Sequence, residues 1–237
     1  MPKLLFITAL LLSPVTLRAQ AEASLEEKAG QVLMLSMDAS EIARATAPIA
    51  QGLGGIQLQW GSYSLEDTRR LTEELQSAAS AGRSRTPLFI AADYEGGSVY
   101  VPTTLGLAEL PTNMMLGAAD DENNTASLFY LAGRELKRAG INMALGPVLD
   151  VNTNPGNPII GVRAIGDAPE LVSRIGAAVM NGLRTAGILA AAKHFPGHGA
   201  AGQDSHKLLP VIRLTTEELE KAHLPLLRKQ WSCGPRS

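Results

Sequence analysis

Short, nearly uninterrupted apolar runs alternate with amphipathic stretches along most of this chain, and that rhythm leaves few folds open. The runs fall at residues 31–35, 54–59, 87–93, 141–147 and 188–192. Continuous apolar runs of this length read as strands buried on both faces, the signature of a parallel sheet. The segments between them carry helix signals. Ser24 with Glu27 forms a capping-box start. Ser64-Leu65-Glu66-Asp67 opens a helix with Leu65, Leu71 and Leu75 on one side. A helix is predicted over 125–139. Another is predicted from Asp167 as N-cap, with Pro169 in its first turn, where a missing N–H does no harm. Thr215 and Glu218 start a last helix running toward Gln230. Arg138-Ala139-Gly140-Ile141 and Thr185-Ala186-Gly187-Ile188 echo one another as helix-to-strand joints, each with a glycine suited to the left-handed C′ position. Strands alternating with helices predict an α/β fold, either a doubly wound sheet or a (β/α) barrel. No G-x-G-x-x-G follows a strand to favour the first, and periodicity alone does not choose.

The N-terminus departs from that rhythm. Lys3 precedes a run of mostly apolar residues from Leu4 to Leu12, and Ala19-Gln20-Ala21 supplies small residues at A-x-A spacing. This is the pattern of a secretory signal peptide over residues 1–21, since the apolar run is shorter than the roughly 20 residues that span a bilayer. The chain is therefore expected to work outside the cytoplasm, periplasmic or secreted, without a membrane span. Cys233 is the one cysteine, so no internal disulfide forms. A formal charge of −2 on 237 residues gives no basic surplus for nucleic acid. Asn123-Asn124-Thr125 is a sequon that matters only in a eukaryotic secretory route and is treated as chance.

The chemistry gathers after the fifth run. Lys193-His194-Phe195-Pro196-Gly197-His198-Gly199, followed by Asp204-Ser205-His206, holds three of the four histidines. Glycine and proline make it a loop, and titratable groups at the exit of a buried strand are where α/β enzymes keep their chemistry. Asp93-Tyr94-Glu95-Gly96-Gly97 ends the third run and Asp150 follows the fourth. Lys193 beside an apolar strand calls for a ligand or an acid partner. Taken singly, Asp93 at a strand end favours function over an N-cap or turn role, whereas Arg163 could equally be a surface ion pair. His198 is expected to be structural, fixing the glycine-rich loop through a backbone hydrogen bond. His223 is expected on the surface of an amphipathic helix, and Asp150 as an acceptor under the strand-four loop. A metal site is the sharpest rival, because zinc accepts His194, His198, Asp204 and His206 as ligand types. Pro196 and Gly197, however, deny H-x-x-x-H its helical one-face geometry. No metal and no cofactor is assigned.

The heptapeptide and D-S-H, together with D-x-E-G-G at Asp93 and I-G-x-R-x-x-G from Ile160 to Gly166, resemble glycoside hydrolase family 3, and within it the β-N-acetylhexosaminidase branch. The resemblance covers roughly residues 25–230 and implies a TIM-like (β/α) barrel domain over 22–230. It implies a carbohydrate substrate ending in β-linked N-acetylglucosamine and a retaining mechanism. By the same resemblance Asp93 would accept from sugar hydroxyls, and Arg163, Lys193 and His194 would donate to them. His206 would serve as acid and base, oriented by Asp204, where the usual glycosidase uses two carboxyl groups. Two departures bear on sugar contacts: Tyr94 stands where glutamine is common, and Ser98-Val99-Tyr100 lacks the family's arginine. The family's nucleophile is an aspartate on a later strand. Here the strand pattern reads as breaking off after about five β/α units of the eight a barrel needs. Residues 231–237 resemble nothing in the family, and Glu217, Glu218 and Glu220 sit in the last helix, outside the barrel. A hydrolase whose barrel is incomplete, and inactive as it stands, is therefore expected. The alternatives are a non-catalytic sugar-binding remnant and a metal-dependent hydrolase.

Overall fold

A computed structural model describes residues 23–38, 41–59, 63–97 and 106–223. The leader pattern over 1–21, the Ser98-Val99-Tyr100 departure, Cys233 and the 231–237 tail lie outside them. The elements run α1 (Leu25–Gln31), β1 (Met34–Met37), α2 (Ile42–Ala50), β2 (Gly55–Leu58), α3 (Leu65–Ala81), β3 (Phe89–Ala92), α4 (Asn113–Ala119), α5 (Glu122–Arg138) and β4 (Met143–Ala144). A 3-10 turn (Gly161–Arg163), α6 (Pro169–Thr185), β5 (Leu189–Ala190) and α7 (Thr216–Ala222) follow.

The strands form one sheet in the order β1-β2-β3-β4-β5, every pair parallel. A doubly wound sheet would reverse its strand order at a switch point. Sequential order throughout is instead that of a (β/α) barrel, so the α/β, TIM-like expectation holds for the described strands. Among the described residues no helix is long and apolar enough to cross a membrane.

Local signals explain most boundaries. Ser24 Oγ accepts from the Glu27 N–H while the Glu27 carboxylate accepts from the Ser24 N–H. That capping box carries α1 through Gln31, whose side-chain amide donates to the Gly52 carbonyl at 2.8 Å. β1 therefore starts three residues later than the apolar run suggests. Ser64 caps α3, and Thr215 with Glu218 closes a second capping box at α7. Gly140 (φ +76°) and Gly187 (φ +82°) take the left-handed conformation their joints require. Asp167 is not the cap of α6. Ala168 is, extended at φ −98°, ψ 119° and without a side-chain bond, as the residue before a proline is pushed to be. β4 and β5 are two residues each. Pairing resumes beyond Pro147, where Lys193 N–H donates to the Pro147 carbonyl and Leu149 N–H to that of Lys193. Two helices left no clear mark in the sequence: α2, which carries Pro48 inside it, and the seven-residue α4.

The core lies between the sheet and the helices. Ile56 and Ile90, paired across β2 and β3, are fully buried. Phe129 and Leu136 of α5 meet Val172, Ile175, Val179 and Leu183 of α6 in the same cluster. Each such side chain contributes about 1.5–3 kcal/mol when withdrawn from water. Gly182 lets the two helices touch, since a Cβ there would fall 2.4 Å from the Ala126 carbonyl oxygen. The other face of the sheet, which would line a barrel, is less covered: Met34 is 37% exposed, Phe89 44% and Leu189 51%.

Candidate active site

Asp93 directly follows β3, Lys193 and His194 lie just beyond β5 after Ala191 and Ala192, and Arg163 closes the 3-10 turn in the loop after β4. All four line one cavity of about 440 Å³, together with Gln57, His198, Ser205 and His206. The chain thus collects its polar groups where a barrel keeps its chemistry.

Two carboxylates and two cations interlock at the base. The guanidinium of Arg163, 5% exposed, donates to Glu95 through Nε at 2.7 Å and Nη2 at 2.8 Å. Lys193 Nζ lies 2.6 Å from Asp93 Oδ1 and 2.5 Å from Glu95 Oε1. The acid partner that Lys193 required is therefore double. Burial would push the Glu95 carboxyl up. The Arg163 hydrogen bonds and the Lys193 and Arg163 charges outweigh it and hold the group below the usual glutamate range. Asp93 Oδ2 accepts from Gln57 Nε2 at 2.9 Å. Tyr94 turns away from the cavity, is buried, and donates to the Ala108 carbonyl at 3.0 Å.

Asp150 fixes the glycine-rich loop from beneath, as an acceptor under the strand-four loop should. Its Oδ2 accepts from His194 Nδ1 at 2.5 Å and its Oδ1 from the His198 backbone N–H at 2.5 Å. With Nδ1–H given to Asp150, His194 presents Nε2, which faces Arg163 Nη2 at 3.4 Å. Arginine only donates, so in this contact Nε2 meets Arg163 as an acceptor. His198 serves the loop through its backbone: its N–H binds Asp150 and its carbonyl accepts from Asn157 Nδ2. Among the described residues its ring has no hydrogen-bond partner, and it stands edge-on to His194, centroids 5.9 Å apart. His223 is not a surface residue. It is 2% exposed and packs under Gly197, whose notional Cβ would fall 2.6 Å from His223 Nδ1.

Asp204 and His206 are set apart from this network. His206 Nδ1 donates to Asp204 Oδ1 at 2.9 Å, and the His206 backbone N–H reaches the same oxygen at 2.9 Å. That backbone bond foremost, with the imidazole bond behind it, holds the Asp204 carboxyl below the usual range. The ring is 61% exposed and lines the cavity mouth, with Nε2 left for chemistry. Among the described residues no three His, Cys, Asp or Glu side chains are placed to hold a metal ion.

Two participants, Glu95 and Gln57, carry no role in the motif reading of the sequence. Glu95 carried a visible signal, a carboxylate at a strand end before two glycines. Gln57 carried one only once its strand register was known.

The sequence matches the glycosyl hydrolase family 3 N terminal domain over residues 24–230. The chain belongs to glycosyl hydrolase family 3. Beta-hexosaminidase A of Pseudoalteromonas piscicida is 39% identical over 157 residues, 65% of this chain and 26% of that protein. The beta-hexosaminidase of Nitrosomonas eutropha is 35% identical over 188 residues, 77% of this chain and 52% of that protein. Among solved structures, a family 3 beta-N-acetylglucosaminidase from Paenibacillus sp. str. FPU-7 is similar at a TM-score of 0.82 and 37% identity. It is matched over 90% of this chain and 41% of its own. The family 3 chain described here spans between a quarter and about half the length of these relatives.

Proposed function

We propose that this chain is the barrel portion of a glycoside hydrolase that removes terminal β-linked N-acetylglucosamine. The observation that carries the reading is one cavity lined by both the Asp93–Lys193–Arg163–His194 cluster and the ring of His206. Fixed donors and acceptors of this kind suit a polyol, which presents both. The names of the similar proteins, beta-hexosaminidase and beta-N-acetylglucosaminidase, supply the sugar.

In the proposed mechanism, the Asp204 carboxylate holds His206 by Nδ1 and stabilises the imidazolium. Nε2 then gives its proton to the departing glycosidic oxygen and later withdraws one from water. Asp93 binds sugar rather than attacking it, because Lys193 and Gln57 engage its two oxygens. Asp93 is the one carboxylate among the described residues lining the cavity, so the nucleophile of a double displacement is not among them. That same observation favours a second reading, sugar binding without turnover. Release of the aryl group from an aryl β-N-acetylglucosaminide by the wild-type chain, abolished in His206→Ala, is the result expected for the hydrolase. Calorimetric binding of N-acetylglucosamine with no aryl release would select the second reading.

We propose also that the protein is exported, on the leader pattern of residues 1–21. Fractionation of expressing cells should find it outside the cytoplasm and shortened by that segment.

A further inference from the structure

In β2, Ile56 and Leu58 are buried in the core against the helices, so half-buried Gln57 between them faces the inner side of the sheet, beside Ala91 of β3. A carboxamide on a half-covered sheet face is unfavourable unless its hydrogen-bonding groups are used. Its nitrogen is used: Nε2 donates to Asp93 Oδ2 at 2.9 Å, while Lys193 Nζ holds Oδ1 at 2.6 Å. The carboxylate is thus gripped at both oxygens, by a strand before it and a strand after it. An ionised carboxylate offers about four lone-pair sites, so each oxygen keeps acceptor capacity toward the cavity. Among the described residues Gln57 Oε1 has no hydrogen-bond donor, and the residue lines the cavity.

We infer that Gln57 positions the Asp93 carboxylate and, through Oε1, accepts a second hydroxyl from the sugar that Asp93 binds, so that the two residues together select adjacent hydroxyls. The inference rests on the proposed sugar-binding role of the cavity. An amide suits the place where a carboxylate does not: it donates to Asp93 without adding a like charge, and still offers an oxygen to a hydroxyl.

The test is calorimetric binding of N-acetylglucosamine to the full chain. Wild type is compared with Asp93→Ala, Gln57→Leu and Gln57→Glu, and circular dichroism confirms that each is folded. Gln57→Leu should weaken binding about tenfold, the loss typical of a hydrogen bond to a charged group. Gln57→Glu supplies a readout that a packing role would not move. Near pH 5 and below, a protonated glutamate can still donate to Asp93; toward pH 7.5 two carboxylates face one another. The ratio of variant to wild-type affinity should therefore fall as pH rises. If Asp93→Ala loses binding while Gln57→Leu stays within about twofold of wild type, the inference is overturned and the sugar-site reading stands. A flat affinity ratio for Gln57→Glu overturns it equally. A wild-type chain that binds no N-acetylglucosamine removes the sugar-site reading and this inference with it.

Discussion

Two regions carry the proposed chemistry, and they are built in opposite ways. At the strand ends, Glu95 and Arg163 are buried and bound bidentately, and Lys193 is shared between Glu95 and Asp93. On the later loop, His206 is largely exposed and is held by one short-range partner two residues away. Around it Leu208, Leu209 and Val211 are 61%, 88% and 62% exposed, so little packing fixes the segment. A site that must recognise a sugar needs its acceptors set beforehand, because every ordered side chain left to the binding step weakens affinity. A group that must first give and then take a proton needs reach and an available nitrogen. The difference separates holding from reacting, and it predicts that the two regions respond differently to mutation.

The largest effect on stability belongs to Glu95→Ala. It leaves the Arg163 guanidinium buried without its bidentate partner, and breaking a buried pair in this way costs about 3–5 kcal/mol. Chemical denaturation should show that loss, and N-acetylglucosamine binding should vanish with it. Because the folded Glu95 carboxyl titrates below its usual range, its contribution is full above the ordinary glutamate pKa of 4.5 and is lost as pH falls through the lower folded value. The wild-type midpoint should therefore decline in that acid window, and Glu95→Gln should flatten the decline. Asp150→Asn ranks next. It removes a charged acceptor from both the His194 ring and the His198 N–H, and a loss of about 1–3 kcal/mol is expected by the same denaturation. If Asp150→Asn proved more damaging than Glu95→Ala, the glycine-rich loop rather than the ion network would be the anchor of the site.

How far the sequence revealed these regions follows from the range over which each is determined. The capping boxes at Ser24 and Thr215 and the glycine joints at 140 and 187 are settled within a few residues, and the structure shows all of them. The parallel sheet was legible in the apolar runs, but not its sequential order, which decides between barrel and doubly wound sheet. The motif residues were legible as motifs; their geometry was not. Glu95 stands two residues from Asp93 in the same motif, yet it holds Arg163 and Lys193 across more than sixty residues of chain. Gln57 reads as one polar letter in an apolar run, and its meaning depends on which way β2 faces. His223 misled because a seven-residue amphipathic helix does not announce what it packs under.

That last residue gives a third prediction. Burial holds the His223 imidazole below its ordinary value of 6.5, and Asp150 only partly opposes the shift. Above the unfolded pKa both states are neutral and stability is complete. As pH falls below about 6.5 the unfolded chain takes up protons first, so stability drops until the folded pKa is passed. Substitution by leucine should remove this dependence in thermal melts between pH 7 and pH 5. An unchanged pH slope would mean that the ring is solvated after all, and that the glycine-rich loop above it is less closed than its packing on Gly197 indicates.

The smallest stability effect, and the one that tests the comparison most directly, is His206→Ala. An exposed ring with a single local partner should change the unfolding free energy by no more than about 0.5 kcal/mol, as surface substitutions do. N-acetylglucosamine binding should persist, since the strand-end cluster is untouched. Any aryl β-N-acetylglucosaminide turnover should fall by roughly 10²–10⁴, the contribution of a positioned acid/base group. Asp204→Asn, which keeps the shape but removes the carboxylate that orients the ring through Nδ1, should lower turnover less. A His206→Ala chain that unfolds or stops binding sugar would break the division outright: the loop would then belong to the anchor, and its exposure would not reflect the state that meets the substrate.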